Sequence, residues 1–383
     1  MKKLVFVAAI VSIFNFQFSI CQAQTPYQKK YHGTDQLAVQ GTLNDQNRRT
    51  GSWTWWYPSG RISQEGTYEN GARTGTWVTY YEDGSRMTEE CHGNGMSRSW
   101  YRNGDLRSEV SVENGQRNGV FRAWYDNGQK EEEYTYVNGS REGETHQWHR
   151  NGQLSFSGRY RDNELQGDAV WYFPNGQVDM RGKMVDGLQD GEWSFFWRSN
   201  GKIGVQGTYA KGKEIGTWTY YYETGERWRS GLYRDGKREG LWTTWYESGK
   251  KLHEGEYVDG KEEGLWTAWY EDGKVDYTGS FSDGLQDGEW KGLYDDGSTR
   301  YIIHYENGEK EGEEVHYYPD GKVEIRQHFS AGRLNGKYER YLENGAPAEK
   351  GQFVDGEKDG KWVWYDQGRE AYKATFQNGI EVK

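Results

Sequence analysis

Histidines, cysteines and carboxylates are the groups in this 383-residue sequence that could perform chemistry, so their spacing is read first. His146 and His149 are the closest histidine pair. Three residues apart on a strand sets them on opposite faces, so no shared metal is expected. His253, His304 and His316 fall at different places in the pattern described below, which gives them no common role. Paired carboxylates occur throughout, and a pair that returns at every period is structural rather than catalytic. Asp235, Asp259, Asp283, Asp320 and Asp355 each stand close before a glycine, where Asp stabilises turns. No run alternates oxygen ligands toward a closing Glu as a calcium loop does. No Ser-His-Asp or Cys-His arrangement and no phosphate-cradling loop is present. The expectation is a protein without catalytic residues, cofactor or metal.

Composition sets the next constraint. Hydrophobic residues make up only 33%, whereas glycine (53), tryptophan (19) and tyrosine (30) are abundant, so burial must come from rings laid on glycine-rich backbone. The net charge of −11 without basic runs argues against nucleic acid and against anionic membrane surfaces, both of which need clustered Lys and Arg. At the N-terminus, Lys2 and Lys3, the apolar run from Leu4 to Ile13 and Cys21-Gln22-Ala23 read as a secretory signal over residues 1–23. The apolar run is too short for a transmembrane segment, and export to the periplasm or the outside is expected. Cys21 raises lipidation, against which stands Ile20 in place of a small residue. Beyond the signal only Cys91 remains, expected as a half-buried free thiol.

The elements follow from a period. Starting at Gly51, fourteen glycines ending with Gly360 recur every 24 residues, save one step of 20 into Gly95 and one of 25 into Gly216. With that glycine as offset zero, the consensus is G-x-W-x-x-W-Y-x-x-G-x(5)-G-x-Y-x-D-G-x-x-x-G. Two short aromatic and β-branched runs separated by Asp-Gly, Asn-Gly or Ser-Gly predict β-hairpins. Pro58, Pro174 and Pro319, all at offset 7, suit the start of a turn. The expected fold is all-β: an elongated single-layer antiparallel sheet of about fourteen tandem 24-residue hairpins over residues 46–383, with 24–45 as a lead or cap. The expected register pairs offset 6 with 11, 2 with 15 and zero with 17. Trp242 then covers Gly255, Tyr257 covers Gly240, and offset 11 (Ile62, Leu154, Val178, Ile203, Val275) joins offset 13 on the ring face. A three-residue loop ending in a glycine bulge would instead shift that register.

Offset 5 points to the other face. It holds Trp56, Tyr80, Trp100, Trp124, Trp148, Tyr172, Phe196, Tyr221, Trp245, Trp269, Leu293, Tyr317, Tyr341 and Tyr365. This aromatic stripe is the candidate partner-binding surface, the other reading being that the rings bury one another as a second packing layer.

The motifs GLWTTWYESG (240–249), EGEY (254–257) and DGKEEG (259–264) resemble MORN repeats, in the variant form of YwqK-family antitoxin-like bacterial proteins, and the likeness runs over residues 46–383. That resemblance implies a hairpin sheet used for binding or scaffolding, with a protein partner and a link to toxin–antitoxin systems. The W-x-x-W-Y-x-x-G run is also similar to choline- and glucan-binding repeats, which implies cell-wall or carbohydrate binding through the stripe as the alternative.

Overall fold

The computed structural model describes residues 24–382, and the signal expected at 1–23 lies outside them. Among the described residues there are 34 strands and no helix. The chain divides into two blocks, residues 1–142 and 143–383. Within each, the strands form an antiparallel sheet in which sequence neighbours pair, and no pairing among the described residues closes the ends into a barrel. The fold class expected from the period is therefore the observed one.

One hairpin explains the rest. Strands Lys237–Trp245 and Lys251–Val258 pair Gly240 with Tyr257, Trp242 with Gly255 and Thr244 with His253, as the pattern predicts. The register then slips by one, and Trp245 meets Lys251. The loop causes this: Tyr246 N–H donates to Lys250 O (2.8 Å), Gly249 N–H donates to Tyr246 O (2.9 Å), and Gly249 takes the left-handed φ of 81°. A tight turn closed by a left-handed glycine leaves one extra residue on the returning strand, which is a glycine bulge. The predicted 6-to-11 pairing is thus corrected to 5-to-11. Ile62, Leu154, Val178, Ile203 and Val275 lie across from the stripe residues Trp56, Trp148, Tyr172, Phe196 and Trp269. Their neighbours Phe156, Met180, Val205 and Tyr277 keep the ring-face register.

Successive hairpins are joined by Asp-Gly turns. Asp259 (φ 52°) and Gly260 (φ 89°) both lie at positive φ, so Val258 faces Lys261 across a two-residue turn whose twist suits the flanking strands. Beyond it, Glu254 pairs with Thr267 and Glu256 with Glu263. Gly255 alone therefore stands against Gly264, Leu265 and Trp266. The positive φ of Gly264 (66°) makes that bulge, and the Trp266 ring folds onto Gly255. A methyl group on Gly255 would lie inside the ring.

This corrects the expected contact. Trp242 pairs with Gly255 through the backbone, but its ring covers Gly231 of the preceding hairpin, and its Nε1 donates to Leu232 O (3.1 Å). Tyr257 does not cover Gly240; nothing lies within 4 Å of a Cβ there, and the φ of 62° accounts for that glycine. The ring-on-glycine contact joins one repeat to the next. Trp53, Trp77, Trp193, Trp218, Trp242, Trp266, Trp290 and Trp362 cover Gly41, Gly66, Gly182, Gly207, Gly231, Gly255, Gly279 and Gly351 respectively. Tyrosines stand edge-on between these indoles, as Tyr257 does 6.0 Å from Trp242 and 5.3 Å from Trp266. In the N-terminal block, strands Thr25–Lys30 and Leu37–Leu43 form a hairpin that supplies Gly41 beneath Trp53.

Not every repeat keeps the indole. Glu314 takes its place in the repeat of Gly312, only 3% exposed, accepting from Lys310 Nζ and His316 Nε2, both at 2.6 Å. Ile303 then replaces the covered glycine. Burial alone would raise the Glu314 carboxyl, but the hydrogen bonds from His316 and Lys310 outweigh it and hold the group below its ordinary value.

Candidate functional site

The predicted stripe residues share one place in the hairpin. Trp56, Tyr80, Trp100 and Trp124 in the N-terminal block each close a first strand, half-buried, just before the loop. Trp148, Tyr172, Phe196, Tyr221, Trp245, Trp269, Tyr317 and Tyr341 do the same in the C-terminal block. The bulge sets each across from offset 11 and away from the indole ladder.

Tyr221, Trp245 and Trp269 are not stacked on one another. Cations from the preceding repeat lie over the two indoles instead: Arg227 Cζ is 5.0 Å from the Trp245 ring centre and Lys251 Nζ is 5.4 Å from that of Trp269. Tyr80 is tied differently. Its hydroxyl donates to Glu65 Oε1 (2.7 Å), and burial together with that bond pushes its pKa up to about 12.

Beside the stripe rings lie clefts built alike. One of ≈ 380 Å³ is lined by Tyr221, Gly225, Glu226, Arg227, Trp245 and Gly249. A second, ≈ 310 Å³, is lined by Lys322, Val323, Arg326, Tyr341 and Gly345. The third, ≈ 490 Å³, lies in the N-terminal block beside Leu106 and Trp124. Each combines an aromatic wall, a loop glycine from one repeat and the residue across the bulge from the repeat before.

Sequence reasoning missed the residue that fixes these walls. The tyrosine following the stripe aromatic donates its hydroxyl to the stripe carbonyl of the next repeat: Tyr57 to Tyr80 O (2.7 Å), Tyr222 to Trp245 O (2.8 Å), Tyr246 to Trp269 O (2.9 Å) and Tyr318 to Tyr341 O (3.0 Å). His149 takes this role toward Tyr172 O at 2.8 Å, and because a carbonyl only accepts, its Nε2 carries the proton. His146 instead packs 6.0 Å from the Trp148 ring, so the pair is not brought together as ligands. The W-Y dipeptide was the available signal.

The floor between the rings differs along the chain. In the N-terminal block it is an ion-pair zipper: Glu109 lies 3.7 Å from Arg98 and 3.5 Å from Arg122, and Glu133 lies 2.9 Å from Arg122 and 3.0 Å from Lys130. Burial alone would raise the Glu133 carboxyl, but hydrogen bonds from Lys130 and Arg122 hold it low. Over residues 217–280 the same places carry hydroxyls except at Glu254, whose carboxylate lies 2.8 Å from Lys251. Thr219 bonds Ser230 (3.1 Å), Thr243 donates to Glu254 (2.7 Å), and Thr267 faces Thr278. Toward the other end of these strands Leu241 is 55% exposed and Leu265 64%.

The remaining candidates have structural places. Asp235, Asp259, Asp283 and Asp355 adopt positive φ in the two-residue turns, while Asp320 accepts from Lys322 N–H (3.0 Å) in the other loop. Cys91 is a half-buried free thiol whose N–H donates to Ser97 Oγ (2.9 Å). No helix among the described residues is long and apolar enough to cross a membrane.

With this geometry in view, comparison with known families finds a matching repeat at several places in the chain. Six segments match the MORN repeat variant. They are residues 49–70, 117–138, 238–259, 262–283, 286–307 and 310–331. MORN repeats on a tandem β-hairpin sheet fit a binding or scaffold role. No curated protein matches the sequence. Among solved structures, a TcdB2–TccC3–Cdc42 complex aligns at 11% identity and a TM-score of 0.16, over 85% of this chain and 19% of that one. The Photorhabdus luminescens Tc holotoxin pore aligns at 11% and 0.16, over 92% and 22%. The chain thus spans about a fifth of their length, and at such scores neither bears on function.

Proposed function

We propose that this MORN-repeat chain is a non-catalytic binding strip that holds an extended partner along its aromatic stripe. One observation carries this reading. The stripe position is aromatic in thirteen of fourteen repeats although half exposed, whereas the buried ladder position beneath it admits Ser97, Thr145, Ala169 and Glu314. Packing alone would produce the reverse, because a buried position feels volume more strictly than a half-exposed one. A constraint from outside the strip accounts for the uniformity.

A photo-cross-linker placed in turn at Leu265, on the stripe face, and at Arg238, over the Trp242 ring on the ladder face, tests it in the native cell. Adducts are expected from Leu265 and to be lost with Trp245→Ala and Trp269→Ala. Equal adducts from both positions would remove the stripe as the docking face. A protein partner, including a toxin as the antitoxin-like resemblance implies, registers as an adduct of defined mass.

A further inference from the structure

We propose that the stripe face over residues 217–280 binds a linear β-1,4-linked polysaccharide. Alternate pyranoses stack on Tyr221, Trp245 and Trp269, displacing the Arg227 and Lys251 cations that lie over the two indoles in the free chain, and the chain's hydroxyls meet the polar floor. This rests on the stripe being the docking face and names its ligand class.

Periodicity is the first argument. One stripe ring is presented per hairpin, and two strands set consecutive rings about 10 Å apart. That is close to the length of a disaccharide in a β-1,4-linked chain, in which every second sugar presents the same face. The clefts repeat as the rings do: the one between Tyr221 and Trp245 recurs beside Tyr341 and beside Trp124. A ring that returns at the same place in each hairpin matches a ligand that repeats at the same interval, whereas a folded protein offers a different surface at every step.

Chemistry is the second argument. A pyranose is apolar on its faces, where C–H groups point, and polar at its rim. Flat indole and phenol rings receive the faces. Thr219, Ser230, Thr267 and Thr278 supply hydroxyls that both donate and accept, as the rim requires, and between them the Glu254 carboxylate, held by Thr243 and Lys251, accepts from sugar hydroxyls. The equivalent floor at Arg98, Glu109, Arg122 and Glu133 is closed by ion pairs whose partners a neutral sugar cannot replace. The site therefore belongs to the hydroxyl floor and not to the zipper. Because β-sheets twist from strand to strand, successive rings turn relative to one another, which suits a single soluble chain better than a flat crystalline surface.

Calorimetry of the full chain with cello-oligosaccharides, chito-oligosaccharides and peptidoglycan glycan strands tests this and separates the sources. Affinity is expected to climb with oligomer length until about six sugars span the three rings, because each added contact is intramolecular. Trp245→Ala and Trp269→Ala should each weaken binding roughly three- to ten-fold, with Trp269→Phe retaining most of it. Arg98→Ala, in the ion-pair zipper, should leave it unchanged. Absence of binding to all three polymers, or affinity independent of length, overturns the proposal. So does a pattern in which Trp245→Ala and Trp269→Ala bind the oligosaccharides as tightly as the unaltered chain. If the glycans fail while cross-links at Leu265 persist, the ligand class falls and the docking face stands; if both fail, both readings fall.

Discussion

The two faces of the sheet hold their aromatics for different reasons. On the ladder face Trp266 is 7% exposed, folded onto Gly255 of the neighbouring repeat and edged by Tyr257 and Phe281. On the stripe face Trp245 is half-buried with a guanidinium over its ring and an open cleft beside it. The ladder carries the cohesion between repeats yet varies in composition, since Glu314 or Thr145 can fill the place if the neighbouring residues adjust. The stripe contributes little cohesion yet scarcely varies. Energetic weight and sequence uniformity have separated, which is expected when one face builds the strip and the other is used by it.

The sharpest way to break that comparison is to truncate one ring on each face. Trp266→Ala removes a buried indole and should cost about 3–5 kcal/mol. Trp245→Ala should cost about 1 kcal/mol, because much of that ring already meets water. Hydrogen exchange resolved by repeat checks both, since unfolding in a tandem array need not be a single two-state event. Equal losses would mean that the stripe is a second packing layer after all.

Glycines sharpen it further. Gly255→Ala drives a methyl into the Trp266 ring and should cost about 3 kcal/mol through overpacking. Gly240→Ala meets open space but must hold φ near 62°, which costs an L-residue about 1–2 kcal/mol. Urea titrations of the two variants should preserve that order; a reversal would mean that the ring moves aside freely and that the ladder contact is weak.

These same glycines mark what the sequence made legible. Period, hairpins and turns follow from Asp-Gly and from alternation, and the 2-to-15 and zero-to-17 pairings hold in the structure. One feature was left open as the glycine-bulge alternative, and one was not read. The fate of Lys251 depends on a single left-handed loop glycine, Gly249, which shifts one residue without moving the strand behind it. The partner of each indole was sought within its own hairpin, because backbone pairing suggests that; the bulge at Gly264 instead tips the ring onto the previous repeat. A signal for this was present. Trp77, Trp290 and Trp362 have Glu90, Ile303 and Ala374 as backbone partners within their own hairpins, yet each follows a glycine in the repeat before. The stripe was legible as a position, because its aromatic recurs at one place in thirteen of fourteen repeats.

A smaller effect tests the link between the faces. Tyr246→Phe deletes the hydroxyl that holds Trp269 O and should cost about 1 kcal/mol. It should also loosen the seating of Trp269 on the stripe face. Partner affinity should fall with it, while the ladder indoles keep their fluorescence; unchanged affinity would show that the clamp serves stability alone.

The weakest expected effect is a pH dependence that belongs to the ladder and not to the stripe. His253 packs 5.8 Å from the Trp266 ring, and burial pushes its pKa below the ordinary histidine value. The folded state therefore prefers the neutral ring, so stability is full above pH ~6.5 and declines as pH falls toward the lowered value, where the unfolded chain binds the extra proton. Glu314 acts in the same direction at lower pH: its carboxyl is held low in the fold, so its contribution is present above the ordinary carboxylate range and is lost as pH falls through the folded value. His253→Phe should flatten the upper part of that profile and Glu314→Gln the lower, in thermal melts between pH 3 and 8. Trp245→Ala should alter neither, because its neighbour Arg227 stays charged throughout; a change in the profile with that variant would mean that the two faces are coupled through the sheet.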